Sequence, residues 1–352
     1  MKIAILNDTH WGARNDNAAI AEHQIKFYRE VFFPHLRENN IKTIIHAGDF
    51  LDRRKYVNFN TLNRIRKEFL GPLRDMGVTL NCIPGNHDTY YKNTSEINCL
   101  GEVFDDAWTN IVYVDWASVH SFDGMDIALL PWINQNNKEK SLEFIANANA
   151  SWLIGHLELK NFEILRGIKH DFGMDHELFS RYEQVISGHY HCRSEKDNVK
   201  YLGAPYQMTF SDVGDTKGFW TLDTGDRSLE FIENPYGMFY SIKYSDSRSD
   251  YKDIIDDASK YSGKYVKIYV TEKNKPEILD ELIDSMYSAN VHSLTVIEDL
   301  DDITTGSKSN DGNLDKSTID LLVDEVKSNS KITNQERIQK LLKELYLEAL
   351  RT

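Results

Sequence analysis

Two histidines lie two positions apart in the segment "SGHYHCR" (187–193), directly after "YEQVI", an apolar run that predicts a strand. Residues i and i+2 of an extended chain point to the same side, so His189 and His191 can reach into one site. The same spacing also fits a pair of surface or hydrogen-bonded histidines. A site at this position therefore requires partners from elsewhere in the chain.

Four further predicted strands also end at polar residues. They lie in "KIAIL", "IKTIIHA", "VTLNCIP" and "ASWLI". The polar residues beyond them are Asp8 and His10, then Asp49 and Asp52, then Asn86, His87 and Asp88, and finally His156. The repeated strand–loop–helix rhythm predicts an α/β sheet domain, in which ligand sites collect beyond the carboxyl ends of the strands. We therefore expect these side chains to lie close together.

This set of side chains is suited to metal binding. Carboxylate, amide and imidazole donors without a thiolate suit Mn²⁺, Fe²⁺ or Zn²⁺ better than a structural cysteine site for zinc. Seven ligands are too many for one ion, but they suit two ions about 3.5–4 Å apart, bridged by a carboxylate and a hydroxide. Such a pair lowers the pKa of the attacking water and neutralises charge on phosphoryl oxygens, which predicts phosphate-ester hydrolysis.

Composition sets outer limits on the function. The chain has 352 residues, 27% of them charged and 41% apolar, which predicts a soluble protein with a large core and more than one domain. No apolar run reaches bilayer length, the N-terminus has no signal-peptide pattern, and three cysteines show no paired framework, so we expect an intracellular protein. The net charge of -14 argues against a passive DNA coat but not against a nuclease with metal ions and a local basic patch.

The ordered motifs D-x-H, G-D-x-x-D-R, G-N-H-D, G-H and G-H-x-H resemble those of the calcineurin-like metallophosphoesterases. The resemblance implies a β-sandwich flanked by helices. It also implies how the ligands divide between two metals: Asp8, His10 and His191 on one, Asn86, His156 and His189 on the other, and Asp49 as the bridge. His87 would face the phosphate, where it protonates the leaving oxygen or stabilises the transition state.

Asp52 is predicted to orient His87. An imidazole that acts as a general acid must be held in one tautomer, usually by a carboxylate on its far nitrogen. The alternative is an aspartate that caps the loop. Asp52 also occupies the position of a tyrosine ligand in purple acid phosphatases, which disfavours that group. Asp88 is expected to anchor a loop, and His46 to be a core residue or a neighbour of the ligands.

The chain divides into four predicted parts. Residues 1–237 form the catalytic domain and 238–302 a small α+β cap, while 303–318 read as a polar linker and 319–352 as two amphipathic helices. This layout resembles that of the SbcD-type nuclease subunits of recombination and double-strand-break repair complexes, a group that includes the smaller subunit of the phage recombination endonuclease.

That second resemblance implies a specific activity and assembly. Such subunits use Mn²⁺, act as exonucleases on duplex ends and endonucleases on single strands, and carry a DNA-binding cap. They pair with an SMC-like coiled-coil ATPase, for which 319–352 is the expected docking module. They also form homodimers, for which 59–75 and 94–108 are candidates. A cytoplasmic location follows, in a bacterial host if the chain is phage-encoded.

A local basic segment favours DNA as the substrate. Residues 51–75 hold seven Lys and Arg against three Asp and Glu, and Arg53, Arg54 and Lys55 lie nearest the predicted site. The alternative for this segment is a solvated helix face. Two rival functions stay open: a phosphatase or cyclic-nucleotide phosphodiesterase with an unrelated tail, and a non-catalytic scaffold. The second is disfavoured because every expected ligand is present.

Overall fold

The computed structural model describes residues 1–104, 108–247 and 251–298, together with residues 323, 326, 327, 335, 338, 339 and 342. Within the predicted catalytic domain the strands are β1 (Lys2–Leu6), β2 (Thr43–Ala47), β3 (Thr79–Ile83), β4 (Ile111–Tyr113), β5 (Ser118–Phe122), β6 (Met125–Leu130), β7 (Trp152–His156), β8 (Glu163–Leu165), β9 (Ile168–Lys169), β10 (Gln184–Gly188), β11 (Ser194–Lys196), β12 (Val199–Tyr201), β13 (Gly218–Asp223) and β14 (Leu229–Glu233).

Helices connect these strands. Two of them contain a π-helical turn: α1 (Ala18–Phe27, Tyr28–Phe32, Phe33–Glu38) and α2 (Phe59–Ile65, Arg66–Leu70, Gly71–Asp75). Two more are α3 (Cys99–Val103) and α4 (Lys138–Asn147), with 3₁₀ turns at His176–Phe179 and Phe210–Asp212. The first helix, α1, ends at Glu38. Its π-helical turn ends two residues before Pro34, a residue that cannot donate a backbone hydrogen bond.

Two six-stranded sheets form the catalytic domain. Their strand orders are β14-β13-β1-β2-β3-β4 and β11-β12-β10-β7-β6-β5. The central strands of each sheet are parallel, so their carboxyl ends lie at one edge. β1 shows why the sheets stack: Ile3 and Ile5 pack between the sheets, whereas Ala4 and Leu6 pack under the helices. The predicted β-sandwich flanked by helices is confirmed.

The cap has its own core. Its elements are β15 (Phe239–Ser245), α5 (Tyr251–Asp256), a 3₁₀ turn (Ala258–Tyr261), β16 (Tyr265–Glu272), α6 (Pro276–Ser288) and β17 (Ser293–Glu298). Strands and helices alternate in this segment, and the three strands are parallel in the order β15-β16-β17. Phe239 packs on Phe210 with ring centroids 5.0 Å apart, which joins the cap to the catalytic domain beside the turn at 208–212.

The C-terminal predictions fall largely outside the described residues. The linker at 303–318 lies wholly outside them. Of the two helices predicted for 319–352, only seven separate residues are described, and all seven are helical. Val323 and Val326 are buried, in agreement with the apolar stripe predicted for the first helix. No helix in the described ranges is long and apolar enough to cross a bilayer.

Candidate active site

Five strand ends meet at the shared edge of the two sheets. β1, β2 and β3 come from the first sheet, and β7 and β10 from the second. The carboxylate and imidazole donors beyond them form three groups, each within 4.8 Å: Asp8, His10 and His191; His10, Asp52 and His87; and Asp49, His156 and His189. The first and the third are the two donor groups proposed to hold the metals. Asn86 Oδ1 lies 3.0 Å from His156 Nε2. The structure thus brings together all seven predicted ligands, with His87 and Asp52 directly beside them.

Glycines before the ligands make this crowding possible. A Cβ atom on Gly48 would collide with the His156 ring, and one on Gly85 would collide with the Asp49 carboxylate. Gly48 also has a φ of 90°, which residues with a side chain rarely adopt. The G-D and G-N pairs of the sequence therefore reflect a steric requirement of the site.

The backbone at the site is strained. Four of the proposed ligands have positive φ: Asp8 at 48°, His10 at 41°, Asp49 at 55° and His189 at 87°. Such conformations cost about 1–3 kcal/mol each and persist where the surrounding structure enforces them. Part of that enforcement comes from the carboxylates. Asp8 accepts the backbone N–H of His189 at 3.0 Å.

Two histidines have their tautomer fixed by backbone carbonyls. His156 Nδ1 lies 2.8 Å from the carbonyl oxygen of Ala47, and His87 Nδ1 lies 2.6 Å from that of Asp52. A carbonyl can only accept, so each Nδ1 carries a proton and Nε2 is left for the site. His87 N also donates to Asp49 Oδ1 at 2.7 Å, which ties the loop of His87 to the central carboxylate.

The prediction that the Asp52 carboxylate orients His87 is wrong. His87 is held by the backbone carbonyl of Asp52, and the carboxylate lies 3.4 Å from His10 Nδ1 instead. The physical reason is that the loop after Asp49 brings the Asp52 backbone to His87 and its side chain to His10. The Asp52 carboxylate therefore lies beside a proposed metal ligand rather than beside the proposed acid.

Two neighbouring residues support the ligand loops as predicted. The buried Asp88 carboxylate accepts the backbone N–H groups of Phe50 at 3.1 Å, Leu51 at 2.9 Å and Gly85 at 2.8 Å, which anchors two ligand loops to each other. His46 is fully buried, and its Nε2 lies 3.0 Å from Thr9 Oγ1.

Charges at the site are strongly coupled. Burial raises the pKa of Asp8 to about 6. Burial alone would lower the pKa of His10 and His156, but hydrogen bonds to carboxylates and the nearby negative charges raise both to about 9. Burial alone would raise the pKa of Asp49, yet His156 and His87 hold it well below its usual range. Without a metal, the positive charge of the protonated imidazoles balances the negative charge of the carboxylates.

This balance predicts pH-dependent metal binding. A metal ligand must be a neutral imidazole, and His10 and His156 are protonated below about pH 9 in the metal-free protein. Filling both sites at pH 7 is expected to release about two protons per chain, so affinity rises between pH 6 and 9. Calorimetric titration with Mn²⁺ in two buffers of different ionisation enthalpy measures the release. Affinity that stays constant over this range would contradict the assignment.

The described residues fit divalent metals. Each group combines one carboxylate with two imidazoles, and all members of the Asp49 group are buried. Beside them lies a cavity lined by His10, Arg14, Asp49, Asp52, His87, His189, His191, Thr209, Ser211 and Asp212, among others. Donors from both groups thus line the space in which a phosphoester would bind.

Sequence reasoning missed a buried ion pair behind the cavity. Lys217 Nζ lies 2.7 Å from Asp212 Oδ1, with both side chains less than 5% exposed. Lys217 also donates to the backbone carbonyl of His191 at 2.8 Å, and Asp212 accepts the N–H of Met208 at 2.8 Å. The pair joins a proposed ligand to the cavity wall. The sequence "TFSD" holds Thr209 and Asp212 at the spacing of a capping box, which is a local signal for the turn. The pairing of Asp212 with Lys217 is a tertiary contact that this local signal does not indicate.

Removing one partner of this pair should be costly. Lys217→Met leaves the Asp212 carboxylate buried and unpaired, so the free energy of unfolding is expected to fall by about 3–5 kcal/mol. Urea unfolding followed by circular dichroism measures it. Lys200→Met is the matched control, because the Glu195 partner of Lys200 is 61% exposed and such pairs contribute at most about 1 kcal/mol. Equal losses in the two variants would contradict this interpretation.

The basic segment 51–75 is partly neutralised in space. Arg53 pairs with Asp16 at 3.0 Å, and Arg64 pairs with Glu22 at 2.9 Å. Both acids come from outside the segment, so the local excess of positive charge is smaller than the sequence predicts. DNA binding by Arg53 stays a prediction, but its guanidinium already has partners within the protein.

Comparison with known proteins decides the family. Residues 1–193 match the family model described as calcineurin-like phosphoesterase. The chain belongs to the calcineurin-like phosphoesterase family. Divalent metals are the cofactors of these metallophosphoesterases, and the resemblance inferred from the motifs is confirmed.

Two curated relatives of this phosphoesterase are nuclease subunits. "Exonuclease subunit 1" of Enterobacteria phage T4 is 33% identical over 355 residues, which cover 99% of each chain. A subunit of the nuclease SbcCD from Staphylococcus epidermidis is 22% identical over 316 residues, which cover 80% of this chain and 82% of that protein. Among solved structures, one described as a novel archaeal phosphodiesterase covers 66% of this phosphoesterase and 100% of its own chain, at 17% identity and a TM-score of 0.34. An overlap this weak adds nothing to the assignment.

Proposed function

We propose that the chain is a metal-dependent DNA nuclease, an exonuclease on duplex ends and an endonuclease on single strands. The observation that carries the proposal is the full-length likeness to a phage exonuclease subunit, which extends through the cap and tail. A likeness confined to the catalytic domain would fit a phosphatase equally well. The presence of all seven donors at one edge of the sandwich supports hydrolysis over a scaffold role.

The chain's own residues position the reaction. When bound, two divalent ions, which we propose are Mn²⁺, would activate the attacking water and stabilise charge on the phosphoryl oxygens. Asp49 lies between the two donor groups, 3.7 Å from His10 Nε2 and 3.3 Å from His156 Nε2, where a bridging ligand belongs. The strained backbone around these ligands keeps their geometry fixed before the substrate arrives.

His87 is the proposed proton donor to the leaving oxygen. Its Nδ1 proton is held by the Asp52 carbonyl, and the ring lines the cavity, so Nε2 is available to the substrate. Burial lowers the pKa of His87. The negative charge of a bound phosphate raises that pKa again, which favours the protonated ring when the substrate is present.

Exposed aromatic and basic side chains beside the site support DNA as the substrate. Tyr90 and Tyr91 are 37% and 49% exposed, and Lys55 Nζ lies 5.8 Å from the centroid of the Tyr90 ring. Arg54 donates to Thr89 Oγ1 at 3.2 Å, which joins the two loops that carry this patch. Aromatic faces next to cations bind unpaired bases and their phosphates.

Digestion of labelled DNA tests the proposal. An end-labelled duplex and a single-stranded oligonucleotide are incubated with the protein and Mn²⁺, with EDTA as the metal-free control. Asp49→Asn, purified in parallel, excludes a contaminating nuclease. We expect Mn²⁺-dependent cleavage of both substrates by the natural sequence alone. If only p-nitrophenyl phosphate or a cyclic nucleotide is hydrolysed, the rival phosphatase or cyclic-nucleotide phosphodiesterase is correct.

The same proposal includes an SMC-like ATPase partner, a homodimer and a cytoplasmic location. Both curated relatives carry subunit names, which supports a complex. The homodimer is supported by exposed apolar side chains near the start of the two candidate segments, where Phe59 is 86% and Ile97 46% exposed. A second copy of the chain would cover these side chains. Residues 105–107 of the second segment lie outside the described residues.

Deleting 319–352 tests the docking module. The truncated protein is expected to lose co-purification with the ATPase and any stimulation by ATP, because apolar stripes on short helices need a partner to bury them. Intrinsic Mn²⁺-dependent cleavage should survive, since all seven proposed ligands lie before residue 192. Full ATPase affinity in the truncated protein would place the docking site elsewhere.

A further inference from the structure

A left-handed turn follows the D-x-H motif. The φ angles are 89° at Gly12, 53° at Arg14, 63° at Asn15 and 57° at Asp16. Left-handed backbone costs about 1–2 kcal/mol for each residue with a side chain, and such residues normally occur singly. Three consecutive non-glycine residues in this conformation therefore require strong support from the surrounding structure.

Side chains from outside the turn supply that support. Arg53 Nη1 donates to Asp16 Oδ2 at 3.0 Å, and its Nη2 donates to Asn15 Oδ1. Thr61 Oγ1 donates to the other Asp16 oxygen at 2.6 Å. The planar guanidinium of Arg53 thus donates to two of the three strained residues. A lysine ammonium lacks the two parallel donors that this requires.

The turn places Arg14 at the metal cavity. Its first hydrogen bond, from Ala13 N to the carbonyl of His10 at 3.0 Å, connects it directly to a proposed ligand. Among the described residues that line the cavity, Arg14 is the one lysine or arginine, whereas three others are aspartates: Asp49, Asp52 and Asp212. A phosphate that enters this acidic space gains most from the one cation that lines it.

We propose that Arg14 binds a non-bridging oxygen of the phosphodiester in the cavity, and that Arg53 acts through the turn as a positioning residue. The ligand class rests on the proposed function, because a nuclease and a small-molecule phosphodiesterase both present a phosphodiester. An arginine that lines the cavity stabilises the negative charge of a phosphate bound there. The strained backbone at 14–16 places Arg14 on the cavity wall.

The nearby cap places a second cation close to Arg14. Lys267 Nζ lies 4.1 Å from the centroid of the Phe210 ring, above the turn that forms part of the cavity wall. Burial and the Arg14 charge lower the pKa of Lys267, so the two cations are close enough to interact. The phosphate next along a DNA strand could therefore reach a second cation that belongs to the cap.

A double-mutant cycle tests the proposal. The assay compares three variants with the natural sequence: Arg14→Gln, Arg53→Gln and the double variant. The control is Arg37→Gln, which changes an exposed arginine of α1 outside the cavity. Each protein is assayed with Mn²⁺ on bis-p-nitrophenyl phosphate and on a single-stranded oligonucleotide. Arg14→Gln is expected to lower kcat/KM on both substrates by about 10²-fold with metal content unchanged. Arg53→Gln should lower it less, and it should add almost nothing in the Arg14→Gln background. Arg53→Lys should not restore activity, and Arg37→Gln should match the natural sequence.

Three outcomes would overturn the proposal. One is an Arg14→Gln variant within twofold of the natural sequence on both substrates. Another is an Arg53→Gln loss on DNA that persists in full in the Arg14→Gln background, since Arg53 would then contact DNA directly. The third is a parallel loss of metal content in Arg14→Gln, which indicates a purely structural role. If the natural protein hydrolyses the small diester but not DNA, the nuclease proposal fails, and the small diester still decides the role of Arg14.

Discussion

Asp49→Asn is expected to lower phosphodiesterase activity by at least about 10³-fold, equivalent to about 4 kcal/mol of transition-state stabilisation. Asp49 lies within 4 Å of a histidine from each donor group, and its Oδ1 also accepts the N–H of His87. An amide keeps the shape but removes the charge that binds both ions. Metal content should therefore fall together with activity, as measured by elemental analysis after dialysis against Mn²⁺. Asp8→Ala and His189→Ala should do the same.

The control for this variant is Asp126→Asn, which removes an exposed carboxylate from β6 of the same domain. It should keep both activity and metal content. An Asp49→Asn protein that retains two metals per chain and near-normal turnover would contradict the bridging role.

His87→Asn should separate catalysis from metal binding. His87 shares a donor group with His10 and Asp52 but belongs to neither of the two groups proposed to hold the metals, and its Nδ1 is bonded to a backbone carbonyl. Both metals should stay bound while kcat falls by about 10²–10⁴-fold, the usual contribution of a general acid. The fall should be smaller for a diester with a p-nitrophenolate leaving group, which needs less protonation than a DNA alkoxide. Parallel kinetics on the two substrates measure the difference.

His120→Asn on β5 is the matched control, since this histidine lies outside the site. His87→Ala should reproduce His87→Asn. If either His87 variant keeps near-normal activity on DNA with both metals in place, the role as general acid is wrong.

Sequence reasoning could place the seven proposed ligands at one edge of the sheets because their signal is local. Each ligand follows an apolar run and a glycine or short loop, and parallel strands bring such positions together. The β-sandwich followed from the same runs. Side chains alternate between the two faces of β1, with Ile3 and Ile5 on the same face. The strand was too short to predict which of its faces would pack against the other sheet.

The features that were missed depend on contacts between distant segments. Nothing near Lys217 in the chain indicates its pairing with Asp212, and nothing near Arg53 indicates that it supports the turn at 14–16. The error at Asp52 has the same origin: the loop was placed correctly, but spacing alone could not decide whether the backbone or the carboxylate would reach His87.

We propose that two metals per chain make this protein a DNA-cleaving phosphodiesterase. The most direct measurement is Mn²⁺ titration of the metal-free protein, with bound metal and cleavage of a labelled single-stranded oligonucleotide recorded on the same samples. We expect cleavage to follow occupancy of the second site and to stay near background at one metal per chain. Full cleavage with one metal bound, or none at two, would contradict it.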